Sequence, residues 1–260
     1  MRARNDTMAT PEELATVRDR LFGLVREEQI RQVFLTRPDL RIIETFLEIE
    51  DVSCVISDAM DRLGVGGRVA ASTMSPLNKG QRICGPAITI RYAQHGGDVS
   101  GLQQRQERSG LGERDMYAVG QPGDIGVFDC GGSTLGSVMG SISARWARRF
   151  GIAGCIVDGA VRDVEGIEAE GIPVWSRAVT PTSGNYRMTA VEVNGAVALG
   201  GVIVAPGDLI VADGTGICVV PIQHVESVAA VVKKIQAGEK SVTDAIDAGV
   251  APRDVPAYTI

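Results

Sequence analysis

Apolar positions along this chain follow two different periods. Leu14, Val17, Leu21, Leu24 and Val25 recur three or four apart, which predicts one amphipathic helix over Pro11–Leu35, with Thr10 as cap and Pro11 in the first turn. Pro38 interrupts the pattern. It resumes over Leu40–Ile49 and over Val52–Leu63, where Gly64 supplies a stop. Beyond Gly64 the helical period gives way to short continuous apolar runs. Arg82–Tyr92, Ile125–Cys130, Ala153–Asp158 and Pro173–Val179 read as strands, and helices are predicted at Ser141–Phe150, closed by Gly151, and at Val164–Glu170. Gly159-Ala160 reads as a small-residue turn after its strand.

Between the first two long runs lies polar sequence. Gln94–Asp98 reads as a flexible loop, and Val99–Arg114, with QQRQER and SGLGER, as an insertion. The later part is a series of short strands, Val191–Val193, Ala196–Leu199, Val202–Val204, Leu209–Ala212 and Ile217–Val220, punctuated by Asn194-Gly195, Gly200-Gly201 and Asp213-Gly214. Pro-Gly-Asp turns precede strands at both Pro122 and Pro206, which is recurrent turn chemistry and not an internal repeat. Helices at Ile222–Ala237 and Val242–Ala248 close the pattern. Alternating strands and helices followed by clustered strands imply an α/β fold of layered sheets flanked by helices, with extra N-terminal helices. The expected division is a helical extension over 1–50, a core domain over 51–240, and a C-terminal helix and tail over 241–260.

Composition narrows the class. Of 260 residues, 44% are hydrophobic but only 4% aromatic, and Gly numbers 32, so the core must be built from Val, Ile, Ala and Leu around many tight turns. A net charge of −6, without a basic stripe, argues against nucleic acid as a ligand. Cys54, Cys84, Cys130, Cys155 and Cys218 are widely spaced and lack zinc or redox spacing, so they read as reduced core residues. No signal-peptide pattern or bilayer-length apolar run is visible, and the expected location is the cytoplasm, away from membranes.

The candidate chemistry sits in four places. Gly140-Ser141-Ile142-Ser143 opens a predicted helix, whose free N–H groups and dipole suit an anion, although taken alone the turn is better explained by Ser141 as a plain helix cap. Arg162 and Asp163 are adjacent after a strand. The guanidinium is a planar fork for a carboxylate and the Asp a hard ligand for Mg²⁺ or Mn²⁺, while a local cap and ion pair is the alternative. Gly96-Gly97-Asp98 is either a donor loop or an ordinary one. His95 beside it is an acid–base candidate, and His224 reads as structural.

Together these motifs resemble one family. Asp58-Ala59-Met60-Asp61-Arg62-Leu63-Gly64, Gly85-Pro86-Ala87, Gly97-Asp98, Pro122-Gly123-Asp124, Asp158-Gly159-Ala160-Val161-Arg162-Asp163, Gly207-Asp208 and Asp213-Gly214 are similar to the RraA-like family over roughly Asp51–Ala237. That family includes class II 4-hydroxy-4-methyl-2-oxoglutarate aldolases, which also decarboxylate oxaloacetate, and regulators of ribonuclease E. The resemblance implies a swivelling-domain type of fold, homotrimers or dimers of trimers, and a divalent-metal-dependent lyase acting on a small 2-oxo or hydroxy carboxylic acid, the alternatives being a non-catalytic regulatory or binding protein on the same scaffold or a different metal-dependent reaction on a carboxylic acid. It implies that Arg162 binds the carboxylate, that Asp163 holds Mg²⁺ or Mn²⁺, and that the turn Gly140, Ser141, Ile142, Ser143 donates hydrogen bonds to substrate. Asp163 is an acid that the ribonuclease regulators typically lack. One departure stands out: the aldolase pattern has an acidic residue where this chain has Ser141, and Asp98, Glu113 or Asp115 are the candidates to replace it.

Overall fold

The computed structural model describes residues 8–107 and 110–257. The N-terminal part contains α1 (Pro11–Ala15), α2 (Leu40–Leu47) and α3 (Val52–Arg62). Strands β1 (Arg68–Ala70), β2 (Ser75–Pro76) and β3 (Ile83–Gln94) follow, then α4 (Val99–Gln104) and α5 (Glu113–Val119). The centre runs β4 (Ile125–Asp129), β5 (Ser137–Met139), α6 (Ser141–Arg149), β6 (Gly154–Val161), α7 (Val164–Glu170) and β7 (Val174–Val179). The chain continues through β8 (Met188–Val193), β9 (Val197–Leu199), β10 (Val202–Val204), β11 (Leu209–Ala212), β12 (Gly216–Val220) and α8 (Val225–Asp247).

One large mixed sheet organises the molecule, in the order β1-β12-β11-β3-β4-β6-β7-β2, with β5 paired to β6 and β8 to β3. The central strands β3, β4, β6 and β7 are parallel. β3 is long enough to serve two neighbourhoods: Ile83–Pro86 pair antiparallel with β11, and Ala87–Arg91 pair parallel with β4. Both faces of the central strands are covered, which is why they read as unbroken apolar runs. Val127 and Ile156 point to one core with Trp175, Val197 and Leu199, while Phe128 and Val157 point to another with Tyr117, Ala144 and Ile167. A third core lies between β11, β12 and the helices α2, α3 and α8.

The sheet's polar strand ends are used structurally. Asp129 and Asp158 are register partners on β4 and β6. Asp129 accepts from the Ala198 N–H and Asp158 from the Gly200 N–H, so the β9–β10 hairpin is tied across the strand ends. Arg177 closes the same network on Asp158.

Several expectations need correction. Pro11–Leu35 is not one helix. It comprises α1, two 3₁₀ turns at Arg18–Arg20 and Glu27–Gln29, and irregular chain. Gly23 has φ +67, and the Asp115 carboxylate accepts hydrogen bonds from the N–H groups of Phe22, Leu24 and Val25 at 2.6–2.8 Å, so these amides cannot join a helix. The apolar spacing is satisfied by packing: Leu14, Val17 and Val25 all enter the core. Gly159-Ala160 is not a turn, because β6 continues to Val161. A Cβ on Gly159 would lie 2.8 Å from the Cys130 Cβ, so the glycine serves close approach. The supposed insertion holds α4 and the run into α5. The two C-terminal helices are one, running through Gly238 with a Lys240–Asp244 pair on its surface. Cys54 is exposed, whereas the other four cysteines are buried and burial raises their thiol pKa values, that of Cys155 to about 12.

Candidate active site

Strands β5 and β6 run parallel, with Met139 opposite Val161. The Arg162 N–H donates to the Met139 carbonyl at 3.0 Å, which keeps the two strands together to their last residues. Whatever follows β5 must therefore lie beside whatever follows β6. Gly140 and Ser141 follow β5 and open α6; Arg162 and Asp163 follow β6 and open α7.

The junction is tight. Asp163 Oδ2 accepts from the Ser141 backbone N–H at 3.2 Å and from the Ser141 hydroxyl at 3.3 Å, and lies 3.4 Å from Arg162 Nε. A Cβ on Gly140 would sit 2.6 Å from that same oxygen and 3.2 Å from Arg162 Cγ, so only glycine admits the pair there. Asp163 itself has φ +54, a left-handed conformation that Asp tolerates better than most residues but which costs about 1 kcal/mol. The carboxylate is thus held at the N-terminus of α6, where the dipole favours its charge. Among the described residues, no hydrogen bond reaches Asp163 Oδ1 or the two terminal nitrogens of Arg162.

Beside this junction opens a pocket of about 220 Å³. Arg162, Asp163, Gly140, Ile142 and Ser143 line it, so the structure brings together the residues that the sequence singled out, although Ser141 reaches the site through Asp163 and is not in the lining. Sequence reasoning did not identify the polar residues Arg114, Ser137, Ser183 and Asn185, which also line it. Ser137 lies on β5, a strand too short to register as an apolar run, and Ser183 forms a bridge to it.

Of the three acids considered as replacements for the missing one, Glu113 alone lines the pocket. Its side chain is 8% exposed, and Oε2 is buried without a hydrogen-bond partner among the described residues. Burial pushes its pKa above the ordinary carboxylate value, partly offset by its own backbone amide, Arg114 and the Ser143 hydroxyl. Ser143 in turn contacts the buried Tyr117 hydroxyl at 3.1 Å. Asp115 is occupied by the N-terminal amides, and Asp98 caps α4 on the surface. His95 is exposed and accepts from the Gly97 N–H, and His224 lies in the turn before α8; neither lines the pocket. A larger cleft of about 620 Å³ between α2 and α8 includes Ile42, Phe46 and Val232 and has none of the residues of the strand-end motif.

The donor set suits a hard cation. Asp163 offers one open carboxylate oxygen, and the pocket adds oxygens of Ser137, Ser183 and Asn185, with no imidazole and only the Met139 thioether as sulfur. Among the described residues there is no cluster of three or more His, Cys, Asp or Glu side chains. That is compatible with Mg²⁺, which commonly takes one or two protein carboxylates and completes its shell with water and substrate.

The family model for RraA-like proteins, described as Aldolase/RraA, matches residues 53–219. The chain belongs to the RraA-like family. A Halalkalibacterium halodurans relative named "Putative 4-hydroxy-4-methyl-2-oxoglutarate aldolase" is 34% identical over 195 residues, covering 75% of this chain and 84% of its own length. Among solved structures, an uncharacterized protein from Pseudomonas syringae pv. tomato aligns with a TM-score of 0.68 at 25% identity, over 83% of this chain and 96% of its own. Streptomyces coelicolor RraAS2, described as an unusual member of the RNase ES inhibitor RraA protein family, aligns with a TM-score of 0.66 at 25% identity, over 80% of this chain and 98% of its own. The family match begins within α3 and includes the whole Gly140–Asp163 region. The mixed α/β architecture is accordingly the RraA fold. No helix among the described residues is long and apolar enough to cross a membrane.

Proposed function

We propose that this RraA-like chain is a divalent-metal-dependent lyase that cleaves a C–C bond in a small 2-oxo carboxylic acid. The observation that carries the reading is the Arg162–Asp163 pair, held against the start of α6 by Gly140 and Ser141 and facing a pocket sized for a few-carbon acid.

Arg162 anchors the substrate carboxylate through its two free terminal nitrogens, a planar fork matched to two oxygens. Ser143 and the backbone from Gly140 to Ile142 supply polar contacts on one wall, with the α6 dipole favouring an anion there. Asp163 holds the cation, Mg²⁺ or Mn²⁺, which when bound supplies Lewis-acid polarisation of the 2-oxo group. Loss of CO₂ would leave the bonding electron pair delocalised as the enolate of pyruvate or a close relative, whose carboxylate Arg162 would hold throughout. With Ser141 where the aldolase pattern has an acid, decarboxylation is the favoured activity. A hydroxyl is no base near neutral pH, and loss of CO₂ requires no alcohol proton to be removed.

Ile142, Leu135 and Val179 are exposed apolar residues on or near the strand ends that bear the site, which fits a further part of the proposal: a cytoplasmic homotrimer or dimer of trimers in which a neighbouring copy covers this rim. The test is pyruvate release from oxaloacetate and from 4-hydroxy-4-methyl-2-oxoglutarate by chelated protein, before and after Mg²⁺ or Mn²⁺ is added, with metal-only rates subtracted. Metal-restored release from oxaloacetate is expected. Release from neither compound would contradict the proposal.

A further inference from the structure

An enolate left in the pocket needs a proton on carbon before it can leave as the stable keto acid. The described residues offer few groups that could supply it. A guanidinium is not a proton donor in proteins, serine hydroxyls are too weakly acidic, and Tyr117 is buried behind Ser143 with its own proton held well above the usual range. His95 and His224 do not line the pocket.

We infer that Glu113 is the acid that protonates the enolate carbon, a role that rests on the lyase reading of the same pocket. Glu113 is the first residue of α5, lines the pocket, and has one carboxyl oxygen buried and unpaired. A buried ionised carboxylate with an unsatisfied oxygen is costly, so the neutral form is the one this environment favours, consistent with the upward direction of its pKa. The groups facing it are Arg114, Asp115 and Tyr117 on its own helix, Ser143 on α6, Tyr92 on β3 and Cys155 on β6, with Arg162 and Asp163 elsewhere in the pocket lining. Arg114 is 4.0 Å away, at the outer limit of an ion pair, and does not neutralise the unpaired oxygen.

The step balances without a further reactant. In the substrate the bond between the β-carbon and its carboxylate breaks, CO₂ leaves, and the pair forms the enolate. The enolate π-electrons then take the Glu113 proton to form the new C–H bond, and the resulting Glu113 carboxylate is reprotonated from water. Because a buried, unpaired carboxyl oxygen favours the protonated form of Glu113, the site suits a 2-oxo acid bearing a carboxylate on the β-carbon. An aldol substrate would need the same oxygen to begin ionised.

The reverse of the protonation step gives the test. Pyruvate with Mn²⁺ or Mg²⁺ in D₂O is followed by NMR for exchange of its methyl protons, and pyruvate and Mn²⁺ affinities are measured by titration calorimetry. Wild-type protein should exchange, with a rate that rises with pH to a plateau as Glu113 ionises. Glu113→Gln should exchange at least 100-fold more slowly, with both affinities within threefold of wild type. Glu113→Asp, which withdraws the carboxyl by one methylene, should lose at least tenfold and keep the same affinities. Unchanged exchange in Glu113→Gln would overturn the assignment while leaving the lyase reading intact. Mn²⁺ affinity weakened more than tenfold would overturn it by making Glu113 a ligand. If wild-type protein neither binds nor exchanges pyruvate, the lyase reading fails, and this inference with it.

Discussion

Ser141 gives Asp163 two hydrogen bonds, one from its backbone N–H and one from its hydroxyl, and both end on the same carboxylate oxygen. The serine therefore orients the acid from the position where the aldolase pattern places an acid of its own. Replacing it with Asp would set a second carboxylate where the Ser141 hydroxyl now lies, 3.3 Å from the Asp163 oxygen. Two such charges repel unless a cation or proton lies between them. Ser141→Asp should tighten Mn²⁺ binding at least tenfold in calorimetry and lower metal-free stability by about 1–2 kcal/mol in urea unfolding. Unchanged metal affinity would remove position 141 from the site's electrostatics.

Arg162 should be irreplaceable by a simple cation. Arg162→Lys keeps the charge but loses the planar fork. Steady-state kinetics on oxaloacetate should show KM raised and kcat lowered together, with kcat/KM down by about 2–4 kcal/mol in both Arg162→Ala and Arg162→Lys. Kinetics like those of wild type in the Lys variant would mean that Arg162 is only a point charge.

Asp163 combines a chemical role with a strained backbone, and the two can be separated by substitution. Asn shares the tolerance of Asp for positive φ, and Gly has no Cβ penalty there. Asp163→Asn and Asp163→Gly should keep thermal stability near or above wild type, whereas Asp163→Ala should lose about 1 kcal/mol, and all three should lose metal-stimulated turnover. Full metal stimulation in any of them would refute the assignment of the cation to Asp163.

Glu113 should make stability depend on pH in a particular direction. Its folded-state pKa is raised above the ordinary 4.5 by burial, so stability is fully expressed below that value and is lost as pH rises through the folded value. Glu113→Gln cannot ionise and escapes this loss. In urea unfolding followed from pH 5 to pH 8, the stability of the Gln variant should therefore rise relative to wild type and then level off once Glu113 is ionised in both states. A difference that stays flat over that range would contradict a buried neutral acid.

Asp115 shows why part of the fold escaped sequence reading. Its carboxylate organises Phe22, Leu24 and Val25 from about ninety positions away. Asp115→Ala leaves three amides without their acceptor and should cost about 2–4 kcal/mol, seen as a lower Tm and protease cleavage within residues 16–25. No local pattern announces such a long-range bond, and the helical spacing of Leu14, Val17 and Val25 was met by packing of an irregular chain. Gly159 illustrates a second limit, since one residue type marks both turns and close contacts.

What was legible lay where periodicity and chemistry agreed. The runs that became β3, β4, β6 and β7 are long and apolar because both of their faces are covered, and their bounds were read within a few residues. The Arg162–Asp163 pair and the Gly140–Ser143 turn were visible as motifs. Their meeting depends on β5, three residues whose pairing with β6 has no signature in the chain. Glu113 was visible as one acid among three, and only its place in the pocket lining separates it from Asp98 and Asp115.

Oxalate provides the most direct measurement on the proposed site. It is a planar dianion shaped like the enolate of pyruvate, and it cannot be turned over. Calorimetric titration of oxalate into chelated protein, with and without Mn²⁺, should show binding strengthened at least 100-fold by the metal in wild type, with that gain lost in Arg162→Ala and in Asp163→Asn. Oxalate binding that ignores Mn²⁺, or a metal-dependent gain retained by both variants, would contradict a carboxylate-and-metal site at Arg162 and Asp163.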